Sequence, residues 1–299
     1  MNNIALTLIL SLAAALIVNI CRKYFSAKHA TGVLGSFAFN GVCSLTAALV
    51  LLCWGGFATP SAFTVWLGVL FGSVTALQGI SYLSALQCGP MSYTSVINSF
   101  STLISALSGV AFFGEHLGWA QIVGMILMLG SFVLAVKGDT QSKKANFKWF
   151  LLCLATFFGT GGIGVMQKVH QSSAYRQELN EFLIIAFGMS AFLCALLIAV
   201  LKKRAHGLTD KTKPTAKRPW FMVGIMLVSG VCVAANNKFN LYLSGVMDSA
   251  VFFPIVNGGG LVLITLAALV LFRETLTKRQ WVGVALGIAS VVFLCNPFG

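Results

Sequence analysis

The sequence predicts an all-α membrane protein of ten transmembrane helices, built from two inverted five-helix repeats. Three observations carry that prediction. Apolar residues make up 58% of the 299-residue chain and charged residues only 9%, against roughly 25% charged in an average soluble domain. The apolar residues gather into ten runs of spanning length. A segment near the middle of the chain recurs near its end. With a mean hydropathy of +0.89, the composition excludes a soluble globular domain, a disordered chain and a collagen-like chain.

A helix needs about 20 mostly apolar residues to cross the hydrocarbon core. Runs of that kind lie near 4–21, 31–54, 63–87, 91–113, 119–136, 148–167, 180–201, 220–244, 249–272 and 279–295. Short punctuation separates many of them, as at Gly55-Gly56 to Pro60-Ser61, Cys88-Gly89-Pro90, Gly114 to Gly118 and Gly245 to Asp248. Short connections make consecutive helices antiparallel neighbours. A β-barrel would show alternating segments of about ten residues, and none appear. The first run has no positive charge before it and Arg22-Lys23 after it. That is the reverse of a signal peptide and fits a retained first span.

Lys and Arg set the expected orientation, because they concentrate in cytoplasmic loops. Seventeen of the 20 lie in the connections after the first, fifth, seventh and ninth spans. Only Lys168 and Arg176 lie on the other face, and Lys238 falls inside the eighth span. The expected arrangement is a multi-pass protein of the cell (inner) membrane with both termini outside. The net charge of +13 is therefore read as the charge rule at work, with no nucleic-acid partner. The basic stretch 202–218 has no interleaved aromatic side chains for base stacking. It reads as a solvated cytoplasmic loop.

Residues 113–124 read F-G-E-H-L-G-W-A-Q-I-V-G, and residues 272–283 read F-R-E-T-L-T-K-R-Q-W-V-G. At an offset of 159, Phe113, Glu115, Leu117, Gln121 and Gly124 fall on Phe272, Glu274, Leu276, Gln280 and Gly283. The same offset places Asn98 on Asn257 and Gln78 on Asn237. The predicted halves are 1–138 and 146–299. Each holds an odd number of spans, so the second half enters the membrane from the opposite side. Inverted repeats of this kind build many secondary transporters.

The F-x-E-x-L-x-x-x-Q-x-x-G segment, present in both halves, resembles the EamA-type repeat. The whole chain resembles a ten-helix member of the drug/metabolite transporter superfamily. The resemblance implies a central cavity lined mainly by the first, third and fourth helices of each half, peripheral fifth helices, and export or exchange of small metabolites. It also implies cytoplasmic termini, whereas the Lys/Arg count places them outside.

Polar side chains within spans are candidates for the solute pathway, because an unsatisfied polar group in hydrocarbon costs a few kcal/mol. The eighth span carries Asn236, Asn237, Lys238, Asn240 and Tyr242. Lys238 is either a cationic site for a carboxylate or phosphate or a lysine snorkelling to the outer interface. Asn98 and Asn257 occupy matching positions in the fourth and ninth spans. Asn257 is followed by Gly258-Gly259-Gly260 and preceded by Pro254, which fits either a broken helix or close packing. Gln78 and Tyr82 share a face of the third span at i, i+4. The candidate pathway is thus Gln78, Tyr82, Asn98, Asn237, Lys238 and Asn257, with Asn19 and Asn40 as weaker candidates.

The seven acidic residues all fall at helix ends or in loops. A proton-driven exporter of lipophilic cations wants a carboxylate within the membrane, so neutral, zwitterionic or anionic metabolites fit better. Glu115 and Glu274 precede the fifth and tenth spans, where capping those helices is their expected role. Gly159, Gly161 and Gly164 match a dinucleotide-binding pattern literally, but no βαβ unit surrounds them, and helix packing is expected. The eight cysteines form no C-x-x-C pair and read as packing residues. No Walker loop, catalytic residue, metal site or cofactor site is predicted. The function expected is a secondary transporter of a small polar organic solute working by alternating access. The alternatives are a non-transporting membrane receptor or scaffold and an intramembrane enzyme.

Overall fold

The computed structural model describes residues 3–29, 32–88, 91–135, 147–205, 219–272 and 277–294. Every regular element among the described residues is helical. The order is α1 (Ile4–His29), α2 (Gly32–Gly55), α3 (Ala62–Cys88), α4 (Met91–Phe100), α5 (Thr102–Phe113), α6 (Trp119–Ala135), α7 (Phe147–Ser172), α8 (Leu179–Ala205), α9 (Pro219–Val246), α10 (Ser249–Phe272) and α11 (Lys278–Leu294). Six stretches of the described residues are long and apolar enough to cross a bilayer: Ile4–Arg22, Leu34–Gly55, Ala62–Tyr82, Phe147–Ser172, Leu179–Lys203 and Trp220–Val246. Ile97–Phe113 and Trp119–Leu134 are shorter apolar helices. The exterior is apolar, and exposed aromatics such as Trp54, Trp119, Trp220 and Trp281 stand near helix ends. That is where aromatic rings meet a membrane interface.

The fourth predicted span differs from a single helix. It divides into α4 and α5 at Ser101, whose N–H bonds the Asn98 carbonyl at 3.2 Å, while the Ile104 N–H bonds the Ser101 carbonyl at 3.0 Å. These i to i+3 bonds tighten the chain for one turn. The Ser101 hydroxyl also donates to the Asn98 carbonyl. At the corresponding place in α10 the helix runs unbroken through Pro254 and the three glycines. There Gly258 lies against Met128 of α6 and Gly259 faces Leu12 of α1, so those glycines serve close packing.

Two apolar clusters hold the bundle. Leu51, Phe71, Phe182, Leu183, Ala186 and Leu241 join α2, α3, α8 and α9. Ala106, Met125, Met128, Phe132, Ile255 and Leu294 join α5, α6, α10 and α11. The most extensive helix contacts are α6 with α11, α2 with α8, α3 with α7 and α8, and α9 with α1 and α2. Small residues let backbones approach at these seams. Gly68 and Gly72 of α3 press on the Phe182 and Ala186 carbonyls of α8. Gly161 of α7 lies against Ile104, and its carbonyl accepts the Ser105 hydroxyl at 3.1 Å. The glycine-rich pattern at 159–164 is therefore a packing surface, as expected. The six cysteines described, Cys21, Cys43, Cys53, Cys153, Cys194 and Cys232, are free thiols.

The recurring motif also acquires a local explanation. Gln121 accepts the Gly118 N–H at 2.7 Å at the start of α6, and Gln280 accepts the Thr277 N–H at 3.0 Å at the start of α11. Each glutamine thus caps its helix from the third turn position. Gly124 then meets Leu294, and the Gly283 carbonyl accepts the Ser131 hydroxyl at 2.7 Å.

The α3–α8 seam gives a direct test of packing. A Cβ on Gly72 would stand 2.9 Å from the Ala186 carbonyl carbon, whereas one on Gly188 of α8 meets nothing within 4 Å. Gly72→Ala is expected to lower the thermal midpoint in detergent, by an overpacking cost of about 1–3 kcal/mol. Gly188→Ala is expected to leave it unchanged or raise it, since alanine is the better helix former by about 1 kcal/mol.

Candidate functional site

A cavity of about 210 Å³ lies where six helices meet. α1 contributes Asn19 and Arg22, α2 Asn40 and Ser44, α3 Thr75 and Gln78, α7 Ile163, α8 Ser190, and α9 Asn236 and Asn237. Ligand pockets for drug-sized molecules measure roughly 300–1,000 Å³, so this volume suits a small metabolite. The lining combines aromatic and aliphatic walls with amides and hydroxyls, and among the described residues no carboxylate lines it. It draws on the first, second and third spans of the first predicted half and the matching spans of the second. The resemblance had implied the first, third and fourth.

Side-chain hydrogen bonds make the cavity walls specific. The Gln78 amide donates to Thr160 Oγ1 at 3.0 Å and approaches Asn98 Oδ1 at 3.5 Å, and the Thr160 hydroxyl donates to the same Asn98 oxygen at 2.8 Å. Two predicted residues, Gln78 and Asn98, therefore meet around a third that the sequence reading passed over. Thr160 sits between Gly159 and Gly161. Gly159 lets α7 approach the Gln78 side chain closely, since a Cβ at that position would stand only 3.0 Å from the Gln78 Cβ. On the opposite wall Asn236 donates to the Ser11 carbonyl at 2.9 Å and to the Ser11 hydroxyl oxygen at 3.1 Å. Asn237 donates to the Val233 carbonyl of its own helix at 3.0 Å, and its side chain lines the cavity with Gln78.

The remaining candidates are placed elsewhere. Tyr82 stands half-buried one turn beyond Gln78. Asn257 is exposed on α10. Lys238 lies outside the cavity lining: its ammonium stands 4.5 Å from the Trp54 ring centre and donates to Asn180 Oδ1 at 3.3 Å. Asn180 in turn donates to the Gly56 carbonyl at 2.7 Å, so Lys238 reaches toward the connection that follows α2.

That connection belongs to the end of the bundle away from the Lys/Arg-rich loops, and this end is closed by polar contacts. Lys168 of α7 forms an ion pair with Glu115 at 2.6 Å, with side chains only 11% and 8% exposed. Glu115 also accepts the Ser249 N–H at 2.7 Å and the Ser249 hydroxyl at 3.1 Å. Lys168 donates further to the Met247 carbonyl at 3.0 Å. The turn that aims Glu115 rests on Gly114, which has φ of 66°, a left-handed conformation that glycine adopts freely. Glu115 thus caps the start of α10, not the α6 helix that follows it. The neighbouring sequence offers α6 its own cap in Gln121. Glu274, its repeat counterpart, lies outside the described residues.

A second closure ties the α2–α3 connection to α8. Glu178 accepts the Ser61 N–H at 2.9 Å and the Ser61 hydroxyl at 2.8 Å, and Glu181 accepts the Ala58 N–H at 3.2 Å. Hydrogen bonds from the Thr64 hydroxyl and from Ser61 hold the Glu178 carboxyl below its ordinary range, because they favour the charged form. A depressed pKa places this stabilisation above the carboxyl's unfolded value and removes it as pH falls through the lower folded value. Thermal midpoints recorded from neutral pH downward are expected to fall through the carboxylate range, and Glu178→Gln is expected to flatten part of that fall. An unchanged acid limb in Glu178→Gln would show that these contacts contribute nothing.

Comparison with known proteins places this architecture. An uncharacterized protein of Haemophilus influenzae is 22% identical over 311 residues, spanning 98% of this chain and 97% of its own. A protein crystal structure superposes with a TM-score of 0.72 at 16% identity, covering 98% of this chain and 96% of the other, a likeness of fold. Residues 4–137, somewhat under half of the chain, match the EamA-like transporter family. Over those residues the chain is similar to the EamA-like transporter family, and its long apolar helices are those of a multi-pass membrane protein.

Proposed function

We propose that the chain is a secondary transporter that moves a small polar organic solute across the cell membrane by alternating access. The observation that carries this reading is the polar cavity among six helices, with the Glu115–Lys168–Ser249 cluster joining helix ends at one end of the bundle. Arg22 near the end of α1 marks the other end of the cavity, on the side from which the Lys/Arg-rich connections leave. By the charge rule that side is cytoplasmic. The conformation is then the inward-facing member of a pair, with both termini outside.

The inverted duplication over 1–138 and 146–299 is part of the proposal. It is supported by the packing pattern. Exchange α1 with α7, α2 with α8, α3 with α9, α5 with α10 and α6 with α11. The α2–α8, α5–α10 and α6–α11 contacts map onto themselves, α3–α7 onto α1–α9, and α3–α8 onto α2–α9. Gln78 and Asn237, equivalent by the repeat, line the same cavity. Two such halves have two related packings of similar energy, which transport requires. Gln78, Asn98 and Asn237 are read as pathway residues. Tyr82 and Asn257 are assigned to the pathway in the opposite state. Lys238 is read as the interfacial, snorkelling residue. No ATP hydrolysis and no cofactor enter the mechanism.

In this scheme the Glu115–Lys168 contact is a latch that holds the outer end shut. Leaving either partner alone costs roughly 3–5 kcal/mol where the pair is well buried. Lys168→Met is therefore expected to speed hydrogen exchange at residues 113–118 and 247–252, with exchange in α3 and α8 unchanged. Transport itself is tested by reconstitution into liposomes and uptake of a panel of amino acids, nucleosides, sugars and carboxylates. One class is expected to enter, with the rate reduced about tenfold or more in Gln78→Leu and Asn237→Leu. A folded protein that carries no member of the panel would favour a non-transporting scaffold.

A further inference from the structure

We infer that the cavity selects a small organic monocarboxylate, bound through Arg22 with Asn40 and Thr75; this rests on the transporter reading above. Among the described residues, Arg22 is the one charged side chain that lines the cavity. Among the described residues it has no carboxylate partner and no hydrogen bond. The basic residues that obey the charge rule need only face water, whereas this guanidinium stands at the edge of an enclosed polar space. Its fork of N–H donors matches a carboxylate in bidentate fashion.

Deeper in the same cavity two polar atoms lack a partner. Asn40 Nδ2 and Thr75 Oγ1 are buried without any hydrogen bond, and both residues line the cavity. Buried polar groups are almost always satisfied, so two orphans on one cavity wall point to a ligand that completes them. Gly79, one turn beyond Thr75, leaves the Asn40 amide nitrogen at 3.3 Å from where a Cβ would stand. The absence of that Cβ leaves space for the amide to turn, and the terminal torsion of asparagine is broad. Both orphans can donate, so the fitting ligand is rich in acceptors.

The rest of the lining sets the class. Among the described residues no acidic side chain lines the cavity, so a cationic solute would meet no counter-charge there beside a guanidinium that repels it. One guanidinium balances one negative charge, which favours a monocarboxylate over a phosphate dianion. The remaining amides of Asn19, Gln78, Asn236 and Asn237 offer neutral donors and acceptors to the uncharged part of the solute.

The test uses the purified full chain in detergent with acetate, lactate, pyruvate and benzoate, each paired with its neutral amide, and with inorganic phosphate. At least one acid is expected to raise the thermal midpoint while its amide does not. The dissociation constant for that acid is expected to weaken about tenfold or more in Arg22→Gln and less in Arg22→Lys. Asn40→Leu and Thr75→Val are expected to weaken it further while the unliganded midpoint stays the same or rises, since each removes an unpaired buried group. Equal stabilisation by acids and amides, stabilisation by phosphate alone, or no stabilisation by any acid would overturn the assignment. So would binding lost in Lys238→Met but kept in Arg22→Gln. Liposome uptake of the bound acid separates the two readings: an acid that binds through Arg22 yet never crosses would remove the transporter reading and leave the binding site standing.

Discussion

A polar group in the hydrocarbon region is costly unless it finds a partner, and this constraint organises the molecule. Backbone groups meet it by forming helices. Side chains meet it by reaching across seams: Gln78 and Asn98 to Thr160, Asn236 to Ser11, Ser131 to Gly283, Trp149 to Thr94. Each such bond joins two helices far apart in sequence, so the polar residues that are costly to bury also fix the register of the bundle. The glycines at Gly68, Gly72, Gly159 and Gly161 act in the same direction, because only a close backbone approach brings short hydroxyls and amides within reach.

The constraint has a different outcome at the two ends. Glu115 meets it with three donors, from Lys168 and twice from Ser249. Lys168 meets it with a carboxylate and a carbonyl. Charges removed from water in this way are stable only while both partners are present. In the proposed transport cycle this arrangement is fully made in one packing and exposed to water in the other, where the helix ends part. At the other end Arg22 has no such partner among the described residues, and it stands open beside the cavity. At one end of the bundle buried charges are paired across helix ends, and at the other Arg22 stands beside the cavity.

Much of this architecture was legible in the sequence, and the reasons are physical. Spanning helices announce themselves because the bilayer demands long apolar runs, and the glycine patterns read as packing because no strand precedes them. Gln78, Asn98 and Asn237 could be picked out because an amide in an apolar run needs a reason. Thr160 escaped notice because a hydroxyl can bond its own helix and so carries no such signal. The break at Ser101 was hidden for the same cause: serine, unlike proline or a glycine run, does not declare a tightened turn, while the declared glycines lie in an unbroken helix, Gly258 and Gly259 packed against Met128 and Leu12. Glu115 was legible as a cap but not as the cap of a helix more than 130 residues away. Arg22 was hidden behind the charge rule, which accounts for a basic residue at that position without asking what it faces.

The motif shared by the two predicted halves shows how such a signal can be strong for family and silent on substrate. Its glutamine caps the fifth and tenth predicted spans, and its last glycine opens the seam between them. These helices pack on each other away from the cavity. The recurring residues therefore serve the pairing of those two helices, a task common to any cargo. The cargo proposed above would instead be met by Arg22, Asn40, Thr75 and the amides around them, which line the cavity from α1, α2, α3 and α9. Apart from Gln78 and Asn237 these positions do not recur at the repeat offset, which accords with the proposal that one asymmetric solute meets different groups on the two walls.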